Sequence, residues 1–317
     1  MKRRDFCKLS AGAAVAGFLG KFGIKAAGAV PAETKKTATV YFTRDISPEG
    51  LLKLYSKVSR DIKGKTAIKL HTGEPRGPNL LPRELAKALQ AEIPNSTIVE
   101  CNVLYPSPRQ NTEGHLETLK TNGWTFCPVD IMDAEGDVSL PIKDGRRLRE
   151  VAVGKHIKNY DSMVVYTHFK GHAMGGFGGS LKNIAIGCAS GKVGKAQLHG
   201  DGWPTGKEFL ERMVEGGKAV ADHFGRQITY INVLKNISVD CDCDAHGAKP
   251  TCPDIGILAS TDILAIDQAS VDMIYALPEK DRHDIVERIE SRQGLHQLDY
   301  MDELKMGNRH YELIEVI

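Results

Sequence analysis

An excess of charge of one sign is missing from this 317-residue sequence, in which 42 Lys and Arg face 40 Asp and Glu, a formal net charge of +2. Proteins that bind nucleic acid usually carry a clear basic excess, so we expect no nucleic-acid partner. Aromatic residues are also few, at 6%. With 41% hydrophobic and 26% charged residues, the composition argues against a disordered or collagen-like chain and against a small disulfide scaffold.

Several familiar motifs are missing as well. No G-x-G-x-x-G occurs, and neither Gly191-Lys192 nor Gly194-Lys195 stands in a P-loop, so a generic nucleotide site is unsupported. The C-x-x-C spacing of many metal sites is absent. Beyond the N-terminal region no apolar stretch has the length of a membrane span, so we expect no stable span. Glycine, with 32 residues, and cysteine, with seven, are the residue types that stand out.

The first 29 residues are typical of an export signal. A basic start over 2–8 precedes a small, apolar run over 9–20, and 27–29 supply an A-x-A exit for cleavage. Arg3-Arg4 and the residues that follow resemble the twin-arginine motif. This resemblance implies the twin-arginine export machinery as a partner and a periplasmic or extracellular location for the mature chain. An uncleaved membrane anchor is the alternative.

The rest of the sequence predicts an α/β fold. We assign 1–29 to the signal, 30–38 to a linker and 39–317 to a single α/β domain, with a division into two subdomains near 150–160 left open. Strands alternate with helices of about ten residues, which indicates βαβ units and a mainly parallel sheet flanked by helices. A polar stretch over 130–149 predicts a small antiparallel excursion. Strands are expected at 39–43, 67–70, 98–104, 162–167, 228–234, 254–258 and 311–316.

A glycine-rich segment, residues 168–191, follows one of these strands and leads into helical sequence. Glycines permit close backbone approach to a ligand, and free N–H groups at a helix start favour an anion. His168 and His172 are candidates for general acid/base or ligand roles, and Lys182 for an anion or cofactor anchor. A tight structural turn is the alternative. The candidate cofactor-binding residues of this segment are Gly176, Gly178, Gly179 and Ser180.

The cysteines supply candidate metal ligands. Cys241 and Cys243 project to one side of an extended chain, and Cys252 follows nine residues later. With Cys188 and His199 they could hold a transition metal or an iron–sulfur cluster. A disulfide from Cys252 to Cys241 or Cys243 is the alternative.

Three further residues are candidates by position. Asp267 falls on the apolar stripe of a predicted helix, where a buried carboxylate needs a partner or acts as one. An aspartate bonded to nearby backbone N–H groups is the alternative. His71 and Glu74 follow a strand, at the end of a parallel sheet where ligands bind.

Several segments together resemble the family known as domain of unknown function 362. These segments are 167–172, 178–188, 241–243, 253–262 and 265–269. The resemblance covers nearly all of the mature chain and implies an iron–sulfur centre protein. Many relatives insert a ferredoxin-like segment after the position of His199, and this chain has none, a departure that weakens the electron-transfer role implied by the resemblance. A separate redox partner that supplies the missing function is a further alternative.

A local similarity to nickel-pincer lactate racemases involves fewer residues. In that family a His, a Gly-Gly turn and a Lys ten residues after the His recur, and the Lys anchors the cofactor. His172, Gly178-Gly179 and Lys182 match that spacing. His199 falls near the position where that family has a further metal-binding His.

The sequence thus predicts one crevice that contains the glycine-rich turn, His199 and the cysteine group. We expect it to bind a metal or iron–sulfur centre and a small-molecule ligand, with redox or metal-assisted chemistry as one outcome. The rival prediction is a non-catalytic binding protein for a small anion, with the cysteines in a structural disulfide.

Overall fold

Eight strands form one sheet in the computed structural model, which describes residues 37–317. The strands of the described residues are β1 Ala38–Thr43, β2 Thr66–Lys69, β3 Ser96–Glu100, β4 Val129–Ile131, β5 Asp137–Pro141, β6 Glu150–Gly154, β7 Ser162–His168, β8 Lys170–His172, β9 Gly176–Gly178, β10 Ile228–Leu234, β11 Gly256–Ser260 and β12 Tyr311–Glu315. The eight strands of the large sheet have the order β12-β1-β11-β10-β7-β2-β3-β4, and β11 alone runs antiparallel to its two neighbours. The expected α/β class with a mainly parallel sheet is confirmed.

Helices cover both faces of this sheet. They are α1 Pro48–Val58, α2 Arg83–Glu92, α3 Thr112–Thr121, α4 Ser180–Cys188, α5 Gly194–His199, α6 Lys207–Phe224, α7 Ile263–Ala276, α8 Glu279–Ser291 and α9 His296–Glu303. In the part of the chain that the structure describes, no helix is long and apolar enough to span a bilayer. The predicted signal and most of the predicted linker lie outside the described residues.

The central strands are buried on both faces. All seven residues of β7 and of β10 are buried, which explains why these strands read as continuous apolar runs. Alternate residues enter different cores: Met163 and Val165 pack with α4, α6 and α7, while Val164 and Tyr166 pack with α1 and α2. The sheet therefore separates two hydrophobic layers.

Local sequence explains where individual elements begin. At α1, the Ser47 side chain accepts from the Gly50 N–H, and Pro48 occupies the first turn. In α6, Gly216 and Gly217 lie against Leu198 and Leu181, so that α4 and α5 pack closely on this long helix.

Two predicted boundaries are corrected. The strand expected at 98–104 ends at Glu100, because the Asn102 N–H bonds the Asp133 side chain and no longer pairs with a strand. The antiparallel excursion expected at 130–149 is the hairpin β5–β6, which reaches Gly154. A second antiparallel hairpin, β8–β9, lies inside the glycine-rich segment.

Candidate metal centre

The candidate site is a pocket of about 300 Å³ at the carboxyl ends of β2, β3 and β7. Parallel strands bring these ends to one edge of the sheet, where open α/β folds bind ligands. The hairpin β8–β9, helices α4 and α5 and the loop after β10 complete the wall. Its charged, histidine and cysteine residues are Lys69, His71, Glu100, Cys101, Arg109, His168, Lys170, His172, Lys182, Lys195, His199 and Cys243.

Gly171 brings hairpin β8–β9 against the segment that carries the cysteines. Its N–H donates to the Ser238 carbonyl over 2.8 Å, and a Cβ atom at this position would overlap the backbone of Val239. The absence of a side chain therefore permits the close approach. As a result, His172 on β8 faces Cys241 and Cys243, which lie some seventy residues later in the chain.

One ring nitrogen of His172 and the sulfurs of Cys241 and Cys243 all lie within 4.8 Å of one another. This set, the His172–Cys241–Cys243 group, offers one imidazole and two thiols to a cation. The Lys182 ammonium lies 3.8 Å from the Cys241 sulfur. The spatial group therefore joins the glycine-rich turn with the Cys-Asp-Cys segment, as expected from the sequence.

The pKa values of the Cys241 and Cys243 thiols shift in opposite directions. A hydrogen bond from Cys243 and the charges of Lys182 and Lys170 lower the pKa of Cys241 well below its usual range, although burial opposes this. The same hydrogen bond, with burial, raises the pKa of Cys243. Negative charge on the pair is therefore favoured at Cys241, where Lys182 and Lys170 stabilise it.

His172 is neutral in this environment. Burial, with the charge of Lys182, lowers its pKa well below the usual value. Its Nδ1 accepts backbone N–H hydrogen bonds from Gly175 at 2.9 Å and Met174 at 3.3 Å, so the neutral ring carries its proton on Nε2. A metal-binding imidazole usually donates from its second nitrogen instead. Binding through Nε2 requires this proton to leave, so we expect the two sulfurs to provide most of the metal affinity.

Asp242, between the two cysteines, anchors their segment. Its carboxylate accepts from His168 Nδ1 at 2.9 Å and pairs with the Lys170 ammonium at 3.1 Å. Burial favours the neutral acid, but the charges of His168 and Lys170 overcome it and hold the pKa of Asp242 far below its usual value. His168 Nε2 faces the Asn236 carbonyl at 3.1 Å. Both ring nitrogens of His168 are thus engaged, and the residue positions the cysteine loop rather than offering a free acid or base.

The opposite wall is a network of buried ion pairs. Arg109 binds Glu100 at 2.7 Å and Glu74 at 3.1 Å, and Lys69 binds Glu100 at 3.3 Å. Glu74 also accepts from Tyr105 and Ser107. Every carboxylate oxygen of this network has a donor, so the predicted site residue Glu74 holds the wall in place.

His71 and His199 both line the pocket as neutral rings, because burial lowers the pKa of each. His71 Nδ1 accepts from the Gly73 N–H. His199 Nδ1 donates to the Lys195 carbonyl at 2.7 Å, which leaves a lone pair on Nε2. The His199 ring lies 4.3 Å from that of Trp203. His199, expected as a metal ligand, thus lies in the pocket but outside the His172–Cys241–Cys243 group.

The helix start that follows the glycine-rich turn is already occupied by a carboxylate of the protein. Asp267 accepts from the backbone N–H groups of Ser180 and Leu181 at 2.8 and 2.9 Å and from Asn232 at 2.9 Å. A Cβ on Gly179 would overlap this carboxylate. The catalytic interpretation of Asp267 is therefore corrected, since its oxygens hold α4 in place. The alternative, an aspartate bonded to backbone N–H groups, describes the structure.

Of the four residues predicted to bind a cofactor in the glycine-rich segment, two line the pocket and two do not. Gly178 and Gly179 line it. Gly176 instead packs against Gly294, and the Ser180 hydroxyl donates a hydrogen bond to the side-chain oxygen of Asn232 at 2.8 Å. Gly178, Gly179 and Lys182 are therefore the residues of this turn that are placed to contact a ligand in the pocket.

Two predicted cysteine ligands lie elsewhere. Cys252 packs in the hydrophobic core, and Cys188 is buried beside Cys101, whose thiol faces the Cys188 carbonyl. Neither belongs to the three-donor group. All six cysteines in residues 37–317 are free thiols, including Cys252.

Comparison with known proteins identifies the family of this chain. The profile described as Domain of unknown function (DUF362) matches residues 66–272, well over half of the chain. The chain belongs to the DUF362 family. The resemblance predicted from the sequence is thereby confirmed. No curated protein matches the sequence significantly.

Two solved structures are similar to this DUF362 chain. The lactate racemase apoprotein from Thermoanaerobacterium thermosaccharolyticum is 12% identical, with a TM-score of 0.45, over 78% of this chain and 59% of that one. A protein from Thermotoga maritima is 15% identical, with a TM-score of 0.34, over 59% of this chain and 49% of that one. The DUF362 chain thus spans less than two thirds of either structure.

The donor set of the DUF362 chain fits a single thiophilic metal ion. Two thiolates and an imidazole suit zinc, iron or copper, and three protein ligands leave a position for a small molecule. A cluster held by four thiolates needs two more cysteines than the three-donor group contains. Among the described residues, the fit therefore favours one metal ion over an iron–sulfur cluster.

The sequence patterns miss some residues of the candidate site. Asp242 stands between two candidate cysteines and Lys170 two residues before His172, so both could have been found from their neighbours. Arg109 and Lys195 had no local signal, because only the folded sheet brings them to the pocket.

Proposed function

We propose that this DUF362 protein binds one thiophilic transition-metal ion through Cys241, Cys243 and His172 and uses it on a small molecule in the adjoining pocket. One observation carries the proposal: two cysteine sulfurs and one imidazole nitrogen lie within 4.8 Å of one another beside a pocket of about 300 Å³. The three donors converge here although His172 lies some seventy residues before the two cysteines in the chain, and Cys241 is buried while Cys243 is partly exposed.

The charges around the cysteines support this proposal. A metal ion needs deprotonated thiols, and binding releases the protons that remain. Lys182 and Lys170 already stabilise one thiolate on Cys241. Asp242, held by His168 and Lys170, fixes the loop between the two sulfurs. The protein thus prepares part of the ligand set before a metal arrives.

When bound, such an ion supplies Lewis-acid or redox chemistry to a substrate in the pocket. This chain's own residues would bind and orient that substrate. Lys182 lies on the pocket wall beside the Cys241 sulfur, and His199 Nε2 offers a lone pair as a proton acceptor. Trp203, 47% exposed, lines the pocket near His199.

The proposal extends to export. Residues 1–29 would direct the chain through twin-arginine export to the periplasm or the cell exterior. Because that route carries folded proteins, the metal would enter before export, and a separate redox partner would meet the mature protein outside the cytoplasm.

Metal analysis of anaerobically purified native chain tests the proposal. We expect about one equivalent of a transition metal per wild-type chain and a loss of most of it in Cys241→Ser and Cys243→Ser. His172→Gln should lose less, since the sulfurs provide most of the affinity. Cys127→Ser and Cys252→Ser are matched controls, because both cysteines lie outside the three-donor group, and should keep the wild-type content.

The contrary result is equally clear. Wild-type chain without stoichiometric metal, together with a mass that is lower by two hydrogens, would show an oxidised cysteine pair in place of a metal site. Equal metal content in Cys241→Ser and Cys252→Ser would also contradict the proposed ligands. Thermal unfolding of each variant separates loss of metal from loss of fold.

A further inference from the structure

Lys195 is a buried cation on the pocket wall for which the protein supplies no anion. It is 4% exposed, lies on α5 and lines the pocket. Its ammonium donates one hydrogen bond, to the Ala189 carbonyl at 2.6 Å. An ammonium group has three N–H donors, so two remain for another partner.

The other cations of the pocket are compensated. Lys69 and Arg109 pair with Glu100, Arg109 also pairs with Glu74, and Lys170 pairs with Asp242. Three cations therefore face three carboxylates. Lys182 lies beside the Cys241 sulfur.

The two carboxylates whose charges act on Lys195, those of Asp133 and Glu100, are committed elsewhere. The two oxygens of Asp133 accept from the backbone N–H groups of Asn102 and Gly191. The oxygens of Glu100 accept from Lys69, Thr72 and Arg109. Among residues 37–317, none forms an ion pair with Lys195. A buried charge without a partner is costly, and an anion in the pocket would offset that cost.

We infer that Lys195 binds an oxyanion group, a carboxylate or a phosphate, of the small molecule that occupies this pocket. The inference rests on the proposed function only in that the same pocket adjoins the metal group. Lys195 would hold the charged end of the ligand and so determine which small molecules enter. A neutral ligand of the same size would leave the ammonium without an anion.

The test uses metal-free mature protein, so that anion binding is measured apart from the metal. Inorganic phosphate and succinate are titrated separately by calorimetry, which distinguishes a phosphate from a carboxylate site. We expect one of them to bind with 1:1 stoichiometry. Lys195→Met should weaken that binding roughly 10- to 100-fold, the effect of losing one charge-assisted hydrogen bond. Lys192→Met is the matched control, since Lys192 is exposed and three residues away, and should bind as the wild type does.

A second measurement needs no variant. Acetylation of lysines in the native chain, read by mass spectrometry, should slow at Lys195 when the bound anion is present and remain unchanged at Lys192. Lys195→Met should keep its metal content, which separates this inference from the proposed metal site. The inference is wrong if neither anion binds, if Lys195→Met binds as tightly as the wild type, or if the anion gives Lys195 no protection.

Discussion

Single buried charges determine the geometry of the site. Asp242 is 5% exposed and lies between the two cysteines, where His168 and Lys170 hold its carboxylate. Removing one partner of such a group leaves the other charge buried and unpaired, which costs several kcal/mol. The side chains that contact Asp242 thus act on the His172–Cys241–Cys243 group through the loop that Asp242 anchors.

Asp267 provides a residue-scale prediction about pH. Burial raises its pKa to about 6 from a usual value of 3.8, against its three hydrogen bonds. Because the folded-state pKa is raised, the stabilisation is present at low pH and is lost as the pH rises through about 6. We expect the free energy of unfolding of the wild type, minus that of Asp267→Asn, to fall by at most about 3 kcal/mol between pH 4 and 7.

Urea unfolding of both proteins across this range measures the difference. The asparagine at position 267 does not titrate, so subtracting the stability of Asp267→Asn removes the pH dependence of all other groups. A difference that rises with pH would show that the hydrogen bonds to Ser180, Leu181 and Asn232 outweigh burial.

At the residue scale, the sequence identified most residues of the candidate site but not the function of each side chain. His172, Lys182, Cys241 and Cys243 were singled out from their types and spacing and do come together. The position of Asp267 on an apolar stripe showed correctly that it is buried, but two of its partners come from α4, eighty-odd residues away, and the third, Asn232, from β10. A sequence pattern shows burial without showing which groups meet the buried atom.

At the scale of elements, the hairpin β8–β9 connects sheet and site. It leaves the end of β7, contacts the loop before the cysteines through Gly171, and returns to the start of α4. Its position therefore places both His172 and Lys182 relative to Cys241.

Gly171→Ala tests this contact. The new Cβ overlaps backbone at Val239, which cannot move as a flexible side chain can, so we expect a loss of about 1–3 kcal/mol in stability and a lower metal content. Gly225→Ala is the control, because Gly225 has φ +57 and nothing within 4 Å of an added Cβ. It should cost about 1 kcal/mol through backbone strain alone and retain the metal. Equal metal content in the two variants would contradict the role of the hairpin.

The elements themselves were largely predictable. For example, β7 and β10 lie where strands were expected, at 162–167 and 228–234. The hairpin β8–β9 was not resolved within the glycine-rich segment, because three-residue strands rich in glycine have no apolar alternation to reveal them.

At the scale of the molecule, the sheet order explains why distant segments share one pocket. β7 lies between β10 and β2, and β3 lies next to β2, so the loops that follow their carboxyl ends adjoin one another. Spacing along the chain carries no record of this order. Lys195 therefore could be placed in the pocket only from the fold, and only the fold shows that Cys188, Cys252 and His199 lie outside the His172–Cys241–Cys243 group.

The predicted export signal gives a prediction for the whole chain. Replacing Arg3 and Arg4 by lysine keeps the charge but removes the twin-arginine motif, so we expect the double variant to remain in the cytoplasm with its N-terminus intact. The wild type should be recovered outside the cytoplasm, cleaved after Ala29. Cell fractionation with N-terminal sequencing measures both, and export of the double variant would contradict the signal.

X-ray absorption at the edge of the bound metal tests the central claim most directly, because it counts the ligand atoms by element. The protein is purified anaerobically with its native metal, and Cys243→Ser is measured beside it. We expect about two sulfur neighbours at roughly 2.3 Å and nitrogen or oxygen nearer 2.0 Å in the wild type, if the metal is zinc or of similar size. One sulfur should remain in whatever metal the variant retains. A wild-type shell with no sulfur, or with four, would contradict a centre built from Cys241, Cys243 and His172.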